Sequence, residues 1–93
     1  MIQSFKCKET AKLFDTGFSR KFPNSILKSA IIRLAMLNHS GKLDDLKIPP
    51  SNCLEKLSGD REGQYSIRIN NKYRICFKWE VNNAYDVEIV DYH

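Results

Sequence analysis

Apolar residues recur along this chain with two periods, and the change falls at a Pro-Pro pair, Pro49-Pro50. Upstream the spacing is helical. Lys8 to Asp15 reads as a helix carrying Leu13 and Phe14, with Gly17 placed to stop it. Pro23-Asn24-Ser25 opens a second helix. Leu27, Ala30, Ile31, Leu34 and Leu37 fall at three-to-four spacing and form one buried stripe. Asn38 to Gly41 ends it, leaving His39 as an exposed helix-end residue. Ile2 to Phe5 reads as a short first strand, and Lys42 to Lys47 as a short helical turn. Ile48 to Asn52 reads as a stiff extended connection, because paired prolines cannot continue a helix.

Downstream the period is two. Leu54 to Leu57, Tyr65 to Ile69, Tyr73 to Trp79 and Ala84 to Val90 read as strands, with a Gly-bounded turn over Ser58 to Gly63. Alternation also sets the register. If Ile69 meets Tyr73, then Ile67 meets Ile75 and Tyr65 meets Phe77, and one face is wholly apolar. Arg68 and Arg74 then project together from the other face. The same reasoning pairs Trp79 with Tyr85, Phe77 with Val87 and Ile75 with Ile89. Val90 and Tyr92 join the arginine face, and Asp91 lies across from Tyr73. His93 cannot be placed by alternation.

Composition narrows the class. Ninety-three residues, 28% charged and 42% hydrophobic, make one globular domain spanning 1–93. No run is long and apolar enough to span a membrane, and the start, MIQSFKCKET, lacks a signal-peptide pattern. Three cysteines without a CxxC fit a reducing cytoplasm; Cys53 and Cys76 read as packed hydrophobes. No metal site or cofactor is expected, because paired Cys or His ligands at short spacing are missing. The net charge of +4 is uneven. Residues 1–43 hold eight Lys or Arg against two acids, and residues 44–93 hold seven against nine. The basic half reads either as a phosphate-facing surface or as solvated helix surface.

The candidate chemistry gathers on the last strands. Metal-free RNA cleavage needs a base for the ribose 2′-hydroxyl, an acid for the leaving 5′-oxygen and cations for the charged phosphorane. Arg68 and Arg74 suit the phosphate, because guanidinium binds two oxygens at once. His93 suits proton transfer near neutral pH. Asp91 either orients His93 or serves as base, and Tyr92 either stacks on a base or donates to phosphate. The competing reading is structural, with the arginines bridging to Glu55, Glu88 or Asp86.

The segment from Ile48 to His93 resembles the HigB-type branch of the RelE toxin superfamily through GDREGQYSIRIN, YRICF and a terminal DYH, in that order. MIQSF and the two helices after it also fit. The resemblance implies an α+β fold: a short N-terminal strand, two helices, then an antiparallel sheet. It implies a toxin of a type II toxin–antitoxin module, a ribosome-dependent endoribonuclease that cuts mRNA in the ribosomal A site. Its implied partners are a HigA-type helix-turn-helix antitoxin, the 70S ribosome and mRNA, with no membrane. Arg74, Asp91, Tyr92 and His93 match the family's catalytic positions, and Arg68 falls where relatives place a basic catalytic residue. Lys56, Arg61 and Lys78 are the candidate substrate-binding cations. Ser58 and Glu55 depart from some relatives, which have lysine and histidine there. Lys56 is then the substitute cation, because it lies on the same face of an extended strand as Ser58. A free-standing ribonuclease and a non-catalytic basic RNA-binding module remain as alternative functions.

Overall fold

A computed structural model of the chain describes residues 1–91. Helix α1 (Lys8–Thr16) and helix α2 (Asn24–His39) precede four strands: β1 (Glu55–Lys56), β2 (Gln64–Arg68), β3 (Tyr73–Glu80) and β4 (Asn83–Asp91). The strands form one antiparallel sheet in the order β1-β2-β3-β4. The architecture is α+β, as the sequence predicts.

The residues before α1 pair in parallel with β4 instead of forming a regular strand. Bridges join Ile2 to Ala84 and Phe5 to Val87, and Gln3 N–H donates to the Ala84 carbonyl at 2.7 Å. Gly17 ends α1 in the left-handed region, at φ 80°, where its N–H reaches the Leu13 carbonyl. Helix α2 ends at His39, which is exposed. Its buried residues are Ile26, Ala30, Leu34 and Leu37, while Leu27 and Ile31 are half-buried. The expected stripe is therefore rotated by about one residue, toward Ile26.

Both helices cover one face of the sheet. Ile67, Ile75, Phe77 and Ala84 are fully enclosed there with Leu13, Leu34 and Leu37. Two links carry sheet position into helix position. Thr10 Oγ1 on α1 accepts from Ile89 N–H at 3.1 Å, and Arg33 Nε on α2 donates to the Arg68 carbonyl at 2.6 Å. No helix among the described residues is long and apolar enough to cross a membrane.

The β2–β3 register is the expected one, with Tyr65 opposite Phe77, Ile67 opposite Ile75 and Arg68 opposite Arg74. The β3–β4 register holds only in part. Ile75 meets Ile89 and Tyr73 meets Asp91, but Trp79 meets Ala84 and Lys78 meets Tyr85. The difference is a bulge between Cys76 and Lys78, where Asp86 takes φ 52°. Asp86 and Val87 together oppose Phe77. The connection after Pro49 is also less extended than expected. Pro50–Asn52 is a 3₁₀ turn that leaves Cys53 at φ 46°.

Cysteine environments differ as this packing requires. Cys53 is exposed, which corrects the expectation of a packed thiol. Cys76 is fully enclosed, and burial pushes its thiol pKa up. At Cys7 partial burial acts upward too, but hydrogen bonds from Thr10, Glu9 and Lys21 hold the pKa below the ordinary value. We expect iodoacetamide to alkylate Cys53 and Cys7 in the native protein and Cys76 only after denaturation. Mass spectrometry of the labelled peptides checks this, and native labelling of Cys76 at the rate of Cys53 would contradict the packing.

Candidate functional site

Two strands present the site through direct cross-strand pairing. Arg68 on β2 and Arg74 on β3 are opposite partners, so their side chains leave the same face of the sheet. That face is the one away from the helices. Like charges placed directly opposite one another repel, so the pair destabilises the sheet unless acceptors surround it.

The acceptors are present. Arg74 Nε donates to Ser66 Oγ at 2.8 Å, and Arg74 Nη2 donates to the Cys53 carbonyl at 2.6 Å. Glu55 on the edge strand β1 forms an ion pair with Arg74 Nη2 at 3.2 Å. The Arg74 side chain is only 12% exposed, whereas that of Glu55 is 56% exposed. Arg68 Nε donates to the Asn70 carbonyl at 3.2 Å, and its Nη2 to Asn71 Oδ1. Asn70 also shapes the β2–β3 connection, because its Oδ1 accepts from the backbone N–H groups of Lys72 and Tyr73. Cys53, Arg68, Asn70, Asn71 and Arg74 line an open recess of about 450 Å³. Two guanidinium groups at such a recess suit an anion with several oxygens, of which a phosphodiester is the obvious case.

The other expected residues fall at graded distances from this recess. Arg61 lies in the 3₁₀ turn Gly59–Arg61 and donates to Gln64 at 3.1 Å and Glu88 at 3.2 Å. Glu88 opposes Cys76, so this contact lies on the arginine face. Lys78 opposes Gln64 on that face as well, four residues from Arg74, about 13 Å along an extended strand. It pairs with Asp86 at 3.4 Å. Lys56 is a correction. It opposes Tyr65, which in turn opposes Phe77, so it stands on the helix-bearing side of the sheet. It does not share a face with the two arginines.

Asp91 opposes Tyr73 at the end of β4 and forms an ion pair with Lys72 at 3.6 Å. Its neighbour Val90 opposes Arg74, as the register reading expects. Tyr92 and His93 lie outside the described residues, so the expected place of Tyr92 on the arginine face stays an expectation.

Sequence reasoning missed four contributors: Ser66, the Cys53 carbonyl, and the recess walls Asn70 and Asn71. Ser66 is fully buried, although alternation puts it on the face away from the helices. The signal was available in part, since Ser66 is the one small polar residue flanked by apolar neighbours in the run YSIRI. A main-chain carbonyl leaves no side-chain signal at all.

Comparison with known proteins bears on the family and the fold. A family model described as the RelE-like toxin of the type II toxin–antitoxin system HigB matches residues 3–93. Toxin HigB-1 of Vibrio cholerae is 36% identical over 80 residues, covering 85% of this chain and 84% of its own length. Endoribonuclease HigB of Proteus vulgaris is 32% identical over 93 residues, the full length of both proteins. The YoeB–YefM toxin–antitoxin complex of Staphylococcus aureus contains a chain with the same fold. The TM-score is 0.61 at 16% identity, over 100% of this chain and 98% of that one. The chain therefore belongs to the HigB-like family of RelE-like toxins from type II toxin–antitoxin systems.

Proposed function

We propose that this toxin is an endoribonuclease that cuts mRNA in the ribosomal A site, by metal-independent attack of a ribose 2′-hydroxyl on the adjacent phosphate. The observation that carries this reading is the direct opposition of Arg68 and Arg74 on the open sheet face, at the mouth of a recess. The name of the Proteus relative, Endoribonuclease HigB, supports it.

In this reaction the 2′-oxygen–phosphorus bond forms and the bond from phosphorus to the 5′-oxygen breaks. A base takes the 2′-hydroxyl proton, and an acid delivers a proton to the 5′-oxygen. The products are a 2′,3′-cyclic phosphate and a 5′-hydroxyl. Arg74 and Arg68 neutralise the phosphorane, whose charge exceeds that of the ground-state diester. Asp91, Tyr92 and His93 supply the proton-transfer group. Arg61 and Lys78 extend the positive track on the same face for flanking phosphates.

The Arg74–Glu55 ion pair does not compete strongly with this role. Glu55 is 56% exposed, so its carboxylate regains water readily when it leaves the guanidinium. A phosphate can displace that carboxylate while the Ser66 and Cys53 contacts remain. The basic helices face ribosomal RNA, a HigA-type antitoxin neutralises the protein, and the action is cytoplasmic, where translating ribosomes are.

Ribosome dependence follows from the sparseness of the site. The recess is open, and among the described residues no aromatic side chain lines it to stack single-stranded bases. Such a site gains most when something else bends the RNA into an attacking geometry, which is worth up to roughly 7–11 kcal/mol. The test is purified protein on one mRNA, with and without programmed ribosomes carrying an empty A site. Cutting is expected only with ribosomes and should yield 2′,3′-cyclic phosphate ends. Comparable cutting of naked RNA would make this a free-standing ribonuclease.

A further inference from the structure

Ser66 has no part in the chemistry above, yet its hydroxyl is fully buried and accepts directly from Arg74. Resting on the phosphate-binding reading of Arg74, we propose that Ser66 is a positioning residue, which sets the plane of the Arg74 guanidinium together with the Cys53 carbonyl.

The geometry makes two fixed points on one rigid plane. Arg74 Nε and Nη2 lie on the same edge of the guanidinium, and they donate to Ser66 Oγ and the Cys53 carbonyl at 2.8 and 2.6 Å. A planar group held at two donors on one edge can no longer spin about its terminal bonds. The same Nη2 also carries the ion pair with Glu55, and the group so fixed lines the recess.

Both anchors are themselves held. Ser66 sits in the middle of β2, between Glu55 on one side and Cys76 on the other. The Cys53 carbonyl is aimed by a backbone in the left-handed region, at φ 46°, a conformation that non-glycine residues seldom adopt. Asn52 fixes that bend from inside. It is fully buried, and its Nδ2 donates to the Leu46 carbonyl at 3.2 Å and the Ile48 carbonyl at 3.4 Å. The buried loop thus transmits its position to the arginine through one carbonyl. An unusual backbone conformation that serves a charged side chain is a common mark of a functional site.

The alternative is that Ser66 is small only because three strands leave little room there. Four measurements separate the two. Ser66→Ala should lower the single-turnover cleavage rate by on the order of tenfold, since misplacement of a positioned group by an ångström is costly. Ser66→Thr and Ser66→Val differ only in a hydroxyl against a methyl, so Thr should retain most activity and Val should not. In an Arg74→Ala background Ser66→Ala should add no further loss, because it acts through Arg74. The Arg74 Nε–H resonance should exchange slowly in the wild type and quickly in Ser66→Ala. An unchanged resonance, an equal loss in the Arg74→Ala background, or equal activity of Thr and Val variants would overturn the assignment. If the wild type fails to cut ribosome-bound mRNA, the proposed function fails. The resonance still decides the role of Ser66.

Discussion

Arg74→Ala should lower the single-turnover rate of mRNA cleavage by about 10²–10³-fold, the loss typical of a preorganised charge stabiliser. Among the described residues Arg74 is the best-held cation on the open face, with hydrogen bonds and an ion pair to three separate segments. Preorganisation of this kind means that little reorganisation is needed when phosphorane charge develops. Arg74→Lys should recover only part of the loss, because an ammonium is a point charge and cannot engage Ser66, Cys53 and phosphate along defined edges. Fold stability should change less than activity. Removing the guanidinium leaves Ser66 Oγ buried without its partner, at about 1–3 kcal/mol, while Glu55 is left largely in solvent. Rapid-quench cleavage on programmed ribosomes and a parallel thermal melt check both halves. A rate within threefold of the wild type in a folded Arg74→Ala protein would remove Arg74 from the chemistry.

The part of this site that the sequence made legible is the part governed by alternation. Ile67, Ile69, Ile75 and Phe77 have to share the buried face, and that requirement alone brings Arg68 opposite Arg74. The resemblance to the family then implied a task for them. Alternation failed where the backbone departs from the pleat. Asp86 looks like any polar strand residue, but its positive φ inserts an extra residue and shifts the pairing beyond Phe77. It failed again at Lys56, where a strand of two residues gives no pattern to count. The largest gap was the second face of the sheet. Cys76 is packed on that face, as the sequence suggests, but the full enclosure of Ser66 beside it was not foreseen. The cover is a set of turns and long side chains, including Arg61 over Glu88 and Arg74 over Ser66. Such cover depends on where loops fold back, which no local periodicity records.

Deleting Asp91 to His93 should abolish cleavage, with a loss of about 10²–10⁴-fold if a single acid–base function resides there, and should leave the fold nearly intact. The structural cost is small for identifiable reasons. Ile89 and Val87, the last core residues of β4, precede the cut. Removing Asp91 breaks its ion pair with Lys72, in which both side chains are about half exposed, and such pairs contribute about 0–1 kcal/mol. The functional cost is large because Val90 opposite Arg74 brings the end of β4 to the arginine row. By sequence alternation alone Tyr92 falls on the arginine face, with His93 next in the chain, and both lie outside the described residues. His93→Gln tests the proton-transfer part separately. It keeps a polar group of similar reach but cannot titrate near neutral pH. Its rate should fall, and whatever dependence on pH between about 5 and 8 the wild type shows should flatten. Circular dichroism and melting curves establish that the truncated protein is folded. A folded truncated protein that still cuts ribosome-bound mRNA at the wild-type rate would show that the acid–base pair lies elsewhere, with Glu55, already in contact with Arg74, as the next carboxylate to test.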